Sequence, residues 1–260
     1  MEEVLNQQQI ARFIHEGFVR IDNAFPAALA AAARDILWQD LPADPDDPAT
    51  WTQPVIRLGM YTQPPFVAAA NTPVLHRAFD QLAGPGKWMP CKAMGTFPVR
   101  FPSPDDPGDA GWHVDVSFAG ADAHNYLEWR VNRYSKGRAL LMLFLFSDVG
   151  EQDAPTRIRP GSHLEVAREL SAEGEGGLSL GELAARLAER PEGKVTLATG
   201  KAGTVYLCHP FLVHAAQPHH GREPRFLAQP PLFWKEGPGA GGIDNEDTPV
   251  AAAIRLGLNG

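Results

Sequence analysis

GTVYLCHPFLVHAAQPHHGREPRFLAQPPLFW, residues 203–234, decides how the chain folds. It holds two aliphatic and aromatic runs, 203–216 and 222–234, divided by the turn-forming PHHG at 218–221. Proline and glycine punctuate both runs too often for a helix, so each reads as strand-like. The short turn makes the second run return antiparallel to the first.

Working outward, the same texture continues upstream. KVTLAT (194–199) and TRIRPGSH (156–163) read as short strands, the latter running into a turn. RALLMLFLFSDV (138–149) reads as a buried strand by its length and its flanking glycine and aspartate. KAMGTFPVRF (92–101) and WHVDVSF (112–118) are strand-like as well. Helical patterns lead the chain. They cover 6–16, where Gly17 is a stop before the short strand FVRI, then 26–39, and 72–84 with Thr72 as cap and Gly84 as stop. Further helices are expected at 164–171, 179–189 and in the C-terminal PVAAAIRLGL. Helices first and strands after, without βαβ alternation, predict a mainly β (α+β) chain. Its antiparallel sandwich or barrel core is covered on one side by the N-terminal helices. The expected organisation is a single domain over 1–260, with a helical cover at 1–90, a β core at about 91–235 and a tail at 236–260. The run GPGAGG (237–242) does not sit between a strand and a helix, so it is not read as a dinucleotide fingerprint.

The bulk properties narrow the function. With 260 residues and 44% hydrophobic content the chain can bury a substantial core. A net charge of −8 without a basic block argues against nucleic-acid binding, which needs Lys and Arg to displace counterions. The longest apolar run, ALLMLFLF (139–146), is too short to span a bilayer. Two distant cysteines and an acidic N-terminus suit a reducing, cytoplasmic setting, with a small-molecule substrate as the expected partner.

Chemistry concentrates around GWHVDVSF (111–118). On a strand, residues two apart project to the same face, so His113 and Asp115 point together. Two histidines and one carboxylate on one face of a cation leave its other positions open, the donor set of non-haem Fe(II) oxygenases. A second histidine must come from a later strand. His209 and His214 both qualify, and periodicity alone does not choose between them. His219 and His220 fall in the turn and are expected to be solvated. Arg225, on the returning strand, is expected to be buried and so to need an anion. A guanidinium matches a carboxylate by its paired donors. Arg157 and Arg159 could orient an acidic substrate or line a solvated face. Arg100, Arg130 and Arg133 are expected to be solvated charges, Trp112 a packing wall and Cys208 a small core residue. The long segment 118–137 has the character of a lid or partner surface.

WHVD, TRIRPGSH, HPFLVHAAQP and REPR, in this order, together with the N-terminal FIHEGFVRIDNAF, resemble the phytanoyl-CoA dioxygenase-like family of Fe(II)/2-oxoglutarate oxygenases over roughly residues 8–230. The resemblance implies a double-stranded β-helix, a jelly-roll-like core. It implies iron ligation by His113, Asp115 and His214 rather than His209, and 2-oxoglutarate held through its distal carboxylate by Arg225. It also implies use of O2, with release of succinate and CO2. Halogenating relatives replace the aspartate, so Asp115 implies hydroxylation-type chemistry. Many members carry a serine where this chain has Ala216. Thr156 or Tyr206 is the expected substitute. The alternatives are a non-catalytic cupin-like binding module and a metal-dependent isomerase or hydrolase on the same barrel. Neither needs a buried arginine placed for a diacid.

Overall fold

A computed structural model describes residues 3–190, 193–235, 241–243 and 247–260. Most of GPGAGG and part of the expected tail lie outside the described residues. Seven helices are described: α1 (Gln7–Glu16), α2 (Ala27–Gln39), α3 (Pro64–Ala70), α4 (Pro73–Ala83), α5 (Ser162–Ser171), α6 (Leu180–Ala188) and α7 (Pro249–Asn259). The strands are β1 (Phe18–Ile21), β2 (Val55–Leu58), β3 (Phe97–Arg100), β4 (Arg130–Val131), β5 (Arg138–Leu145) and β6 (Arg157–Ile158). They continue with β7 (Leu178–Ser179), β8 (Thr196–Leu197), β9 (Val205–Cys208), β10 (His214–Ala215), β11 (Leu227–Ala228) and β12 (Pro231–Phe233).

Two antiparallel sheets frame the interior. The larger runs β1-β9-β5-β11, with β12 also on β5; the smaller runs β10-β6-β8. β5 is buried along all eight residues because both of its faces are covered. Leu140, Met142 and Phe144, with Phe146 just beyond the strand, pack with the helical layer, where Phe25, Phe66 and Phe97 meet them. Leu141, Leu143 and Leu145 face the other way. They share the space between the sheets with Ile158, Ala198, Tyr206, Cys208, Leu212 and Leu227. A strand with two buried faces reads as a continuous apolar run, which is why its sequence does not alternate.

Local chemistry sets the element ends. α1 starts at Asn6, which exchanges reciprocal 2.9 Å bonds with Gln9 in a capping box. It stops at Gly17, whose φ of 87° is the left-handed conformation open to glycine. α4 begins at Thr72 and ends at Gly84, as the sequence predicts.

The short strand expected at FVRI is β1, which extends the larger sheet by pairing with β9, from Phe18 opposite Cys208 to Ile21 opposite Val205. Several expectations need correction. α3 went unrecognised in the sequence. WHVDVSF is not a continuous strand but an extended stretch with isolated bridges at His113 and Phe118. The run 203–216 is broken into β9 and β10 by a turn at Pro210, where Leu212 N–H donates to His209. The tail ends in α7, which docks on α5, α1 and α4. Among the described residues no helix is long and apolar enough to cross a membrane.

Candidate metal centre

His113 and His214 face each other across two backbone hydrogen bonds, each N–H donating to the other's carbonyl at 3.0 Å. This bridge attaches the GWHVD stretch to β10 and sets the two imidazoles side by side, ring centroids 4.4 Å apart. Both rings are held alike. His113 Nδ1 lies 2.9 Å from the Gly111 carbonyl and His214 Nδ1 lies 3.0 Å from the Leu212 carbonyl. A carbonyl only accepts, so each Nδ1 carries the proton and each Nε2 presents a lone pair. His214 Nε2 is buried and has no hydrogen-bond partner. Burial, reinforced by neighbouring His113, pulls the His214 pKa down to about 4, so the ring is neutral at pH 7.

Asp115 completes the group with a divided carboxylate. Its Oδ1 lies 3.9 Å from His113 Nε2 and 3.7 Å from His214 Nε2. Its Oδ2 accepts a 2.7 Å hydrogen bond from Arg138 Nη1, and Arg138 Nη2 donates to the Val116 carbonyl at 3.0 Å. Burial pushes the Asp115 carboxyl up, but Arg138 and the two imidazoles outweigh it, so its pKa falls below the ordinary value. The three ligand atoms lie within 4.8 Å of one another. Ligands about 2 Å from one ion stand about 3–4 Å apart, so the group could hold a metal ion after small adjustments. An orphaned buried imidazole nitrogen and an anionic oxygen aimed at one point are what such an ion would satisfy.

His209 belongs elsewhere. It is fully buried, its Nδ1 accepts from Phe211 N–H at 3.1 Å, and it packs on Phe13 and His163 in the helical layer. His219 is buried rather than solvated, with its Nδ1 accepting from Gly221 N–H. His220 is exposed.

Arg225 is buried. Leu227 packs between the sheets, and by alternation Arg225 projects into the same space. Its Nη1 donates to the Ala154 carbonyl and its Nη2 to the Pro98 carbonyl at 3.1 Å. Burial, and then the charge of Arg100, lower its pKa to about 9, while Asp109 opposes them. Arg100 is a clear correction: it is 2% exposed, with Nη2 2.7 Å from both carboxylate oxygens of Asp109. Thr156 is buried, but no hydrogen bond joins its hydroxyl to Arg225. The Tyr206 hydroxyl donates to the Thr199 carbonyl at 2.7 Å. Arg157 is half-buried and Arg159 buried, and both stack on Trp112. Their guanidinium carbons lie 4.7 and 4.2 Å from the Trp112 ring centroid, and Arg157 also donates to the carbonyls of Ala110 and Ala216. Arg130 is likewise engaged, donating to the carbonyls of Gly176 and Gly177. In segment 118–137, Tyr126 and Leu127 are exposed. The Tyr126 phenol pKa is raised by desolvation and then by the charge of Asp115. Arg138, Arg100 and Asp109 were missed as site residues. The available signal was an arginine at the head of an apolar strand (RALLMLFLF), and another on the off-face of alternating Phe97, Val99 and Phe101.

The family model for phytanoyl-CoA dioxygenase (PhyH) matches residues 13–227. This chain belongs to the PhyH family. A search of curated proteins found no match. Solved structures similar to this PhyH member include HygX from Streptomyces hygroscopicus with nickel, 2-oxoglutarate and hygromycin B bound. It is 17% identical, with a TM-score of 0.54 over 88% of this chain and 87% of that one. The non-heme alpha ketoglutarate dependent carbocyclase SnoK from nogalamycin biosynthesis is 16% identical, with a TM-score of 0.54 over 89% and 84%. The epimerase SnoN from the same biosynthesis is 16% identical, with a TM-score of 0.56 over 88% and 82%. At these identities the likeness establishes the shared fold of this PhyH chain.

Proposed function

We propose that this PhyH member is an Fe(II)- and 2-oxoglutarate-dependent dioxygenase that oxidises a C–H bond of a small metabolite, releasing succinate and CO2. In this reading one domain, a double-stranded β-helix, carries the whole site. The observation that carries the reading is the convergence of two imidazole Nε2 atoms and one Asp115 oxygen, with both ring tautomers set by backbone carbonyls. HygX binding iron in one structure, and nickel with 2-oxoglutarate in another, supports the choice of metal and cosubstrate.

His113, Asp115 and His214 would hold Fe(II), a donor set that leaves the ion able to take 2-oxoglutarate and O2. When bound, Fe(II) and 2-oxoglutarate supply the oxidising power for C–H cleavage. The chain's residues do the rest. Arg138 holds Asp115 Oδ2 away, so the carboxylate presents one oxygen rather than two. Arg225 offers a buried, protonated guanidinium to the distal carboxylate. Leu141, Leu143, Cys208 and Leu227 make the space between the sheets apolar, which limits water at the reacting centre.

Anaerobic addition of Fe(II) and then 2-oxoglutarate is expected to produce a visible charge-transfer band, and His113→Ala is expected to abolish succinate formation. Full iron-dependent turnover by that variant would overturn the ligand assignment. A second reading keeps the same site and changes the outcome. SnoK and SnoN are a carbocyclase and an epimerase, so hydrogen abstraction followed by ring closure or inversion fits the same donor set. Oxygen incorporation from 18O2 into product separates it from hydroxylation.

A further inference from the structure

Next to the proposed cosubstrate site the chain buries more positive charge than it neutralises. Arg100 and Arg225 are directly opposed in an antiparallel bridge, with Arg100 N–H donating to the Arg225 carbonyl at 3.1 Å and Arg225 N–H to the Arg100 carbonyl at 2.8 Å. Opposed residues in such a bridge project to the same face. Phe97, Val99 and Phe101 all pack toward the helices, so Arg100 turns to the space between the sheets, where alternation from Leu227 also puts Arg225. Both side chains are among the largest fully buried ones. Against two guanidinium groups stands one partly buried carboxylate, Asp109, which is shared with exposed Arg57. Three buried donor nitrogens have no hydrogen-bond partner: Arg100 Nε, Arg100 Nη1 and Arg225 Nε. Unsatisfied charged donors in a dry interior are costly, and an anion placed between the two groups relieves them.

We propose that Arg100 and Arg225 form a two-arginine site for the distal carboxylate of the keto diacid, with Arg100 supplying the contact for which Ala216 carries no hydroxyl. This rests on the oxygenase reading above and deepens it. Of the two hydroxyls expected to substitute, that of Tyr206 is spent on the Thr199 carbonyl. Asp109 has two effects here. It tethers Arg100 to the PDDPGDAG segment that leads to His113, and it partly neutralises the pair, weakening their pull on an incoming diacid.

The test compares 2-oxoglutarate with 2-oxopentanoate, an acid of equal chain length without the distal carboxylate, by calorimetric titration of the anaerobic Mn(II)-loaded protein. The wild type is expected to prefer 2-oxoglutarate strongly. Arg100→Gln is expected to weaken 2-oxoglutarate by about 10- to 100-fold while leaving 2-oxopentanoate and Mn(II) binding unchanged, so the preference collapses. Asp109→Asn is expected to act in the opposite direction, tightening 2-oxoglutarate alone. It decides the question if Arg100→Gln does not fold. A purely bracing Arg100 would weaken both acids equally in both variants, and either that result or an intact preference in Arg100→Gln overturns the proposal. A wild type that shows no preference for the diacid refutes the oxygenase reading itself, a distinguishable failure.

Discussion

Replacing Arg138 with leucine should destabilise the protein mainly when no metal is bound. The Arg138 and Asp115 side chains are only 10% and 19% exposed, and their contact is 2.7 Å. Removing one partner of a buried pair typically costs about 3–5 kcal/mol, because the other charge is left desolvated. Both groups retain some solvent, so about 2–3 kcal/mol is the appropriate scale here. For a chain of this size that lowers Tm by roughly 4–12 °C. About 1 kcal/mol of the loss belongs to the Val116 carbonyl, which loses a donor whether or not metal is present. The rest comes from the uncompensated carboxylate, and a divalent ion bound at Oδ1 supplies the missing positive charge. Calorimetric melts of wild type and Arg138→Leu, in chelator and in saturating Mn(II), measure this directly. The Tm gap should shrink by about half to two thirds when metal is added. An identical gap in both conditions would show that Arg138 braces the fold without reference to the ion, and the electrostatic reasoning would fail.

Two other predictions concern the helical layer. His163 and His209 are both buried with lowered pKa values, His163 to about 4 through burial. The unfolded chain binds protons near pH 6.5 that the folded chain refuses. Stability should therefore be constant above that pH and fall as pH drops from about 6.5 toward 4. Urea unfolding across this range checks it, and His163→Gln should flatten the slope. Gly17→Ala should cost well over about 1 kcal/mol, since φ is 87° and a Cβ there would lie 2.5 Å from His163 Nδ1. A Tm equal to that of the wild type would contradict it.

Strand and helix types were largely legible because β5, α1, α2, α4 and α7 carry long, one-signal patterns. Alternation failed where backbone pairing overrode it. The GWHVD stretch keeps His113 and Asp115 together although it is not a regular strand, because the bridge to His214 and the Arg138 contact position them instead. The five-residue spacing of His209 and His214 was ambiguous for the same reason. A turn between β9 and β10 sends one ring to the helices and the other to the triad. Arg100 was misread because an isolated arginine looks solvated in sequence. Only the pairing of β3 with the Arg225 stretch, from opposite ends of the β region, reveals that water cannot reach it.

The reciprocal bonding of His113 and His214 joins backbone segments about a hundred residues apart. Closing so long a loop costs more chain entropy than forming the local helices and hairpins. A chain stalled before that closure has no third ligand to offer and cannot retain the ion. Metal retention in this protein thus doubles as a report that this distant contact has been made.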